Sequence, residues 1–181
     1  MLSTTQEKYL SRLRAASQMN AIPVTEYAIY VAINEQKLYL FKASICAKIY
    51  DCRLSGKPPS CVENSFGTPL GLHRVEQKIG AAAPWGMVFK GRKPTGIVFC
   101  ETAPSADNLV TTRILWLGGL EPGVNSGPGC DSYQRYIYIH GTNHEADFER
   151  ARSHGCVLLR NDDVIELFER IPAQSLVYIG E

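Results

Sequence analysis

The sequence predicts a mostly β fold of the β-rich α+β type, with one helix at the start of the chain and another near its end. Short runs of β-branched and aromatic residues recur from Tyr27 onward and are separated by turn-forming residues. Two other segments, residues 5–19 and 161–171, place apolar residues at helical spacing. Hydrophobic residues make up 45% of the 181 and charged residues 20%, which is typical of a globular domain rather than a disordered or fibrous chain.

The first helix carries Tyr9, Leu10, Leu13 and Ala16 at helical spacing with charges between them, so we expect it to pack on the domain surface. The segment that begins at residue 27, YAIYVAINEQKLYLFKASICAKIYDCRLSG, predicts consecutive antiparallel strands separated by turns at residues 34–35 and 42–44. Further strands are predicted at residues 71–77, 87–91, 112–117, 136–140 and 176–180.

Two turn-rich segments, residues 55–69 and 118–132, are long enough to be functional loops. The second helix is predicted to begin at Asn161 as its cap, with Asp162 and Asp163 at the positive end of the helix dipole. Its buried face comprises Val164, Ile165, Leu167, Phe168 and Ile171. Pro172 should end it.

Length and charge restrict the class of protein. A chain of 181 residues can bury the core of one domain. The net charge of +1 argues against a nucleic-acid partner, and the apolar runs are far too short for a membrane span. The first twenty residues contain spread charges instead of the apolar run of a secretory signal. With Met1 as the native start, we expect a cytoplasmic protein with its six cysteines reduced.

The stretch HGTNHEADFERARSHGC, residues 140–156, contains three of the four histidines and one cysteine. A cysteine becomes a nucleophile when a neighbouring imidazole accepts its proton. His140 ends an apolar strand, and Cys156 follows Gly155, which permits a tight turn whose N–H groups can point at one oxyanion. This pattern indicates a cysteine nucleophile with a histidine base.

Two alternatives use the same residues. His140, His144, His154 and Cys156 are all acceptable zinc ligands, although neither an HExxH spacing nor a CxxC pair is present. Spacing alone is equally compatible with a packed strand histidine and a buried thiol. His73, in the segment TPLGLHRV, is interpreted as a packed strand histidine of this kind.

The motifs SHGC (153–156), YIYIHGTNHE (136–145) and NDDVIELF (161–168) resemble the signature of the YkuD-like L,D-transpeptidase catalytic domain family. Three upstream segments, within residues 66–75, 78–96 and 113–125, are similar to small proteobacterial members, so the resemblance covers residues 27–180. It implies an antiparallel β-sandwich with an N-terminal helix and a helix after the catalytic cysteine. It divides the chain into a lead-in helix, residues 1–24, and a catalytic domain, residues 25–181. It implies no metal and no organic cofactor.

The resemblance also implies an activity and a set of roles. Members cut peptidoglycan stem peptides between the L-centre of meso-diaminopimelate and the terminal D-Ala. Cys156 would attack that carbonyl, with His140 as the base and the Gly141 carbonyl orienting the imidazole. The N–H groups of His154, Gly155 and Cys156 would hold the oxyanion, and Ser153 would shape the pocket.

Substrate contacts are predicted for Arg160, His144 and Thr142. Family members usually carry an arginine two residues after the cysteine, whereas this chain has Leu158 there. Arg160 could take that role only with a different backbone path, because two residues along a strand correspond to roughly 6.6 Å. The role of the family arginine is therefore open.

The predicted reaction is hydrolytic: a cytoplasmic L,D-carboxypeptidase that trims tetrapeptide muropeptides in murein recycling, with no membrane or nucleic-acid partner. The choice of water as the acceptor, rather than an amine, rests on the predicted cytoplasmic location. A native start upstream of Met1 would favour a periplasmic L,D-transpeptidase that forms cross-links or exchanges D-amino acids. A non-catalytic muropeptide-binding module and, more remotely, a zinc peptidase remain as alternatives. The sequence does not predict the oligomeric state.

Overall fold

The computed structural model describes residues 2–100 and 108–181. The chain forms helix α1 (Thr4–Met19), strands β1 (Tyr27–Ala32), β2 (Lys37–Lys42), β3 (Ile45–Asp51), β4 (Gly71–Ile79), β5 (Met87–Lys90), β6 (Lys93–Val98), β7 (Val110–Gly119), β8 (Tyr138–Gly141) and β9 (Val157–Leu159), helix α2 (Asn161–Arg170) and strand β10 (Leu176–Gly180). A single 3₁₀ turn, Phe148–Arg150, lies between β8 and β9. The predicted mostly β fold with a helix near each end is confirmed.

The ten strands found among the described residues form one mixed sheet. Its main path runs β3-β2-β1-β10-β4-β7-β5-β6, and β8 joins β7 to β9 beside this path. Most neighbouring strands are antiparallel, but β1 pairs with β10 and β8 pairs with β9 in parallel. The strands predicted within residues 27–54 are antiparallel neighbours, as expected. The two parallel pairs join strands far apart in the chain and so leave no local signal in the sequence.

Strands β6 and β9 were not predicted, and each has a physical reason. Strand β6 contains Pro94 and Gly96, residues that disfavour strands except at an edge, and β6 is the last strand of the path. Strand β9 has only three residues and leads almost directly into α2. Its short apolar run, VLL, could not be distinguished by periodicity from the start of the helix.

Two layers of apolar contacts stabilise the fold. Strand β1 is buried on both faces: Ile29 and Val31 point into the main core, whereas Ala28 and Tyr30 point toward α1. The main core draws on β1 to β4, β7 to β10 and α2. Helix α1 covers the other face of β1 and β2 through Tyr9, Leu10 and Leu13. Among residues 2–100 and 108–181, no helix is long and apolar enough to cross a membrane.

The N-cap of helix α2 lies one residue earlier than predicted. Asn161 was expected to cap it, but Arg160 occupies the cap position and Asn161 is the first helical residue. The N–H of Asn161 is instead bound by the Glu145 carboxylate at 2.5 Å. Asp162 and Asp163 lie in the first turn as predicted, and the helix ends before Pro172.

Candidate active site

Cys156 lies at the end of a tight glycine turn that leads directly into β9. Gly155 has a φ of +120°, a conformation that favours glycine. A Cβ atom at this position would also lie 3.0 Å from Cδ1 of Ile137 and 3.1 Å from the carbonyl oxygen of Gly67. The Ser153 hydroxyl donates to the Cys156 carbonyl at 2.6 Å and accepts from the Gly155 N–H at 3.1 Å. The residues of SHGC therefore hold the backbone on both sides of the thiol.

His140 lies in β8 with only 2% of its surface exposed. Its Nδ1 donates to the carbonyl oxygen of Gly141 at 2.6 Å. Because a neutral imidazole carries one N–H, this bond leaves Nε2 as a proton acceptor. A side chain at Gly141 would overlap the amide of Asn161 and come within 2.9 Å of the Thr111 carbonyl oxygen. The backbone of the next residue thus sets the tautomer and orientation of the base.

The two groups share one face of the β8–β9 ladder. Ile139 pairs with Val157, and both side chains point into the main core. Since successive side chains alternate, His140 and Cys156 point away from that core on the same side. The register places them diagonally on adjacent strands, about 8 Å apart between Cα atoms from the usual strand spacing and rise. An imidazole and a thiol that project from one face can meet across this distance.

Burial keeps both groups neutral at pH 7. Removal from water raises the pKa of the Cys156 thiol to about 11, although a hydrogen bond from the Tyr138 N–H and the charge of Arg135 act in the opposite direction. Burial lowers the pKa of His140 to about 4, against a smaller upward effect of its bond to Gly141. The resting pair is therefore a thiol with an uncharged base, rather than a thiolate with an imidazolium.

The thiol opens into a solvent-accessible cleft of about 370 Å³. The loop predicted at residues 55–69 forms one wall, and the segment before β8 forms the other. The lining residues are Glu63, Asn64, Phe66, Gln134, Arg135, Tyr136, His154 and Cys156. The exposed ring of His154 lies edge-on to Phe66, with 5.3 Å between ring centroids. The Cys156 thiol, the SHGC turn and the loop of residues 55–69 thus belong to one site.

Two backbone N–H groups beside the thiol are unused. Within the described part of the chain, the N–H groups of His154 and Cys156 donate no hydrogen bond. The N–H of Gly155, the third predicted oxyanion donor, is already bound by the Ser153 hydroxyl. The arrangement therefore offers two free donors at the nucleophile, and unused donors of this kind can stabilise a developing oxyanion.

The three residues predicted to contact substrate lie elsewhere. Thr142 is fully buried, and its hydroxyl accepts from the N–H of His144. Arg160 binds the carbonyl oxygen of Glu145 at 2.9 Å and forms an ion pair with its carboxylate. None of the three lines the cleft at Cys156.

No group of three or more His, Cys, Asp or Glu side chains among residues 2–100 and 108–181 is arranged to hold a metal ion.

The position of the usual family arginine is part of a small apolar cluster. Leu158 is fully buried and packs with Phe148 and Ala151. The guanidinium groups of Arg53 and Arg160 lie over the Phe148 ring, 5.0 and 4.5 Å from its centroid. Arg53 and Arg160 thus cover the apolar cluster that contains Leu158.

Residues 134–136, which form the second wall of the cleft, were given no role from the sequence. Arg135 and Tyr136 lie next to the thiol, and the Tyr136 carbonyl oxygen accepts from Sγ of Cys156 at 3.5 Å. Arg135 precedes the quoted motifs, and Tyr136 is only the first residue of YIYIHGTNHE; the parallel pairing of β8 with β9 brings this segment to the turn. Trp116 is buried and stacks on Tyr133 at 3.9 Å between centroids, outside the cleft lining. Trp85, the other tryptophan, stacks on Phe99 and lies outside the cleft.

The comparison with protein families agrees with this geometry. The YkuD profile, which describes the L,D-transpeptidase catalytic domain, matches residues 26–179. This chain belongs to the YkuD family. The family predicted from the HGT and SHGC motifs, a family of cysteine acyl-transfer enzymes, is thereby confirmed. YqjB of Bacillus subtilis (strain 168), whose name assigns it provisionally to the L,D-transpeptidases, is 35% identical over 77 residues, which are 42% of this chain and 38% of that protein.

Solved structures show that the YkuD fold extends over most of the chain. A cysteine-to-serine mutant of the Enterococcus faecium L,D-transpeptidase has a TM-score of 0.53 and 17% identity over 87% of this chain and 50% of that one. An L,D-transpeptidase from Mycobacterium smegmatis has a TM-score of 0.52 and 13% identity, over 86% of this chain and 59% of that one. The chain thus spans about half the length of the relatives it matches, and at these identities the likeness concerns the fold alone.

Proposed function

We propose that this YkuD domain is an L,D-carboxypeptidase that releases the terminal D-Ala from tetrapeptide muropeptides. The observation that carries the proposal is that one face of the β8–β9 ladder carries the Cys156 thiol, which lines the cleft, and the His140 imidazole with an unprotonated nitrogen, while two free N–H donors lie beside the thiol. Such a set can attack an amide carbonyl, move a proton and hold the oxyanion without a metal. The L,D bond before D-Ala is the substrate that the family suggests.

The proposed reaction has two halves. Sγ of Cys156 attacks the carbonyl of the diaminopimelate L-centre while Nε2 of His140 accepts the thiol proton. The oxyanion binds the N–H groups of His154 and Cys156. As the C–N bond breaks, His140 passes the proton to the leaving amine of D-Ala. Water then attacks the thioester and gives its proton to His140, and the C–S bond breaks with return of that proton to the thiol.

The size of the cleft supports a small acceptor. Ligand pockets commonly measure about 300–1,000 Å³, and this cleft, at about 370 Å³, lies near the lower limit. That volume suits the terminus of one peptide better than a donor and a second stem peptide together. Water or a free amino acid reaches the thioester through the space that D-Ala leaves. We therefore propose hydrolysis rather than cross-linking.

A cytoplasmic location and a role in murein recycling belong to the same proposal. Cys46, Cys52, Cys61, Cys130 and Cys156 are thiols rather than disulfides, which fits a reducing compartment. Soluble muropeptides, rather than the wall polymer, would be the substrates there. Fractionation of cells that express the untagged native protein tests this part, because recovery in the periplasmic fraction would contradict it.

The activity is tested by mass spectrometry of products from disaccharide tetrapeptide, with and without added D-Met. We expect disaccharide tripeptide and free D-Ala in both cases. Cys156→Ala should abolish turnover and His140→Gln should lower it at least about a hundredfold, as loss of a general base does. Cys130→Ala, a cysteine outside the cleft lining, is the matched control and should keep wild-type turnover.

Other outcomes would replace the proposal by a specific alternative. Incorporation of D-Met or formation of cross-linked dimers would identify a transpeptidase. Binding of the tetrapeptide without turnover by the wild-type protein would identify a binding module.

A further inference from the structure

Arg135 is a cation without a counter-charge beside the nucleophile. It is half-buried in the wall of the Cys156 cleft. In the part of the chain that the structure describes, no carboxylate forms an ion pair with it. Glu63, the acidic residue of the cleft, acts on the guanidinium only at longer range. A partly buried charge without an ion-pair partner is costly, and such groups concentrate at binding sites.

The guanidinium is held in place but still has donors to spare. Nη1 donates to the carbonyl oxygen of Ser60 at 3.0 Å, and Nη2 donates to that of Gly67 at 2.8 Å and weakly to the Ser65 hydroxyl at 3.5 Å. Arginine has five N–H donors, so these three bonds leave two without an acceptor among the described residues. The loop of residues 55–69 thus anchors a group that can still bind an anion in the cleft.

The position of the charge suggests which anion it binds. The guanidinium lies close enough to Cys156 to lower the pKa of the thiol, against the larger effect of burial. In a tetrapeptide donor, the leaving D-residue carries its α-carboxylate one Cα beyond the nitrogen of the bond that breaks. A carboxylate so close to the reacting carbonyl must lie near Sγ, and arginine is well suited to binding it.

We propose that Arg135 binds the α-carboxylate of the terminal D-residue and thereby restricts cleavage to the last bond of the stem peptide. This inference rests on the proposed function for its substrate. It makes Arg135 a specificity residue. A pentapeptide, which carries an amide at this point, would be a poor substrate.

The first test measures binding, so that it does not depend on turnover. Disaccharide tetrapeptide with a free carboxyl terminus and the same compound with a terminal carboxamide are titrated calorimetrically into Cys156→Ala. We expect the free acid to bind about 10- to 100-fold more tightly, the range of a hydrogen bond to a charged group. Arg135→Gln in the same background should lower only the affinity for the free acid, so that the two ligands bind about equally.

Matched variants separate recognition from a structural role. Arg135→Lys keeps the charge and should keep part of the preference, and it protects the test should the glutamine variant fail to fold. Arg170→Gln, an arginine on the far end of α2 that pairs with Glu166, should keep the full preference. Equal affinities in Cys156→Ala, or an equal loss for both ligands in Arg135→Gln, would overturn the inference.

Kinetics with the wild-type catalytic cysteine then distinguish the two proposals. The ratio of kcat/KM for the acid and the carboxamide should fall toward one in Arg135→Gln. A carboxylate preference in binding without turnover by the wild-type protein would reject the carboxypeptidase and retain the anion site. Turnover with no preference between the acid and the carboxamide would retain the carboxypeptidase and reject the anion site at Arg135.

Discussion

The charge states of Cys156 and His140, the proposed nucleophile and base, follow from their desolvation. His140 is buried and Cys156 is partly buried, and desolvation disfavours the charged form of each: the pKa of the thiol rises and that of the imidazole falls. A thiolate–imidazolium pair would require the opposite shifts. Proton transfer must therefore accompany the attack on substrate. The SHGC turn contributes position and oxyanion donors rather than a ready-made thiolate.

This charge state predicts slow alkylation of the free enzyme. With a pKa of about 11, Cys156 holds roughly two to three orders of magnitude less thiolate at pH 7 than an ordinary cysteine with a pKa of about 8.5. We expect its reaction with iodoacetamide to rise with pH throughout the range from 6 to 9. Peptide mapping by mass spectrometry isolates Cys156 from the other thiols. A rate that is already at its plateau at pH 6 would show an ion pair and contradict the prediction.

At the level of the strands and helices, the position of His140, the proposed base, depends on hydrogen bonds that join β7, the end of β8 and α2. The buried side chain of Asn161 accepts from the hydroxyls of Thr111 at 2.6 Å and Thr112 at 2.5 Å. Its amide nitrogen donates to the carbonyl oxygen of Thr142 at 2.8 Å. Asn161 thereby ties the start of α2 to both strands, directly beside Gly141, whose carbonyl orients the imidazole. The residue expected to cap the helix instead joins three elements.

Asn161→Ala should therefore destabilise the protein and slow the reaction. The change leaves two hydroxyls and one carbonyl without their partner, and we expect a loss of about 3 kcal/mol in the free energy of unfolding. Urea denaturation measures this loss. We also expect a lower kcat under folded conditions, because the backbone that orients His140 loses its support.

The neighbouring residue provides the control for this variant. Asp162 is exposed in the same first turn of α2, so Asp162→Ala should change unfolding by less than about 1 kcal/mol and leave kcat unaltered. Wild-type stability in Asn161→Ala would show that the joint does not hold the base.

For the molecule as a whole, two buried neutral histidines couple stability to pH. His73 is fully buried between Gly71, whose carbonyl binds Nδ1 at 3.0 Å, and Ser132, whose hydroxyl binds Nε2 at 2.9 Å. Burial lowers its pKa to about 4, as it does for His140. Between pH 6.5 and 4 the unfolded chain binds protons that the folded chain does not. Acid therefore favours unfolding in this window.

The size of the effect can be predicted. Between pH 7 and pH 5, each histidine should remove about 2 kcal/mol from the free energy of unfolding, since one pKa unit corresponds to about 1.4 kcal/mol. His73→Gln should show about 2 kcal/mol less pH-dependent loss than the wild type in paired denaturation curves. Val75→Ala changes a buried residue on the same strand. This variant should be less stable than the wild type at both pH values, but its loss of unfolding free energy between pH 7 and pH 5 should equal that of the wild type. An unchanged difference in His73→Gln would contradict the burial argument.

Local patterns in the sequence determined the parts of this protein that neighbouring residues control. The helix at Thr4–Met19, the three strands after Tyr27 and the strand Leu176–Gly180 follow from apolar spacing and turn residues. The HGT and SHGC motifs identified the family and named the cysteine and histidine, because a strand end and a glycine turn are short-range features.

Only the tertiary structure decided which distant residues complete the site. The parallel pairing of β8 with β9 brings His140 to the face of Cys156, and the loop of residues 55–69 brings Ser60 and Gly67 to Arg135. Thr142, which belongs to the HGT motif, and Arg160, weighed as a stand-in for the family arginine, lie outside the cleft lining and bind neighbouring segments. Nearness along the chain does not give the direction of a side chain. Burial and strand register, which set that direction and the charge of each group, arise only when the whole sheet closes around its core.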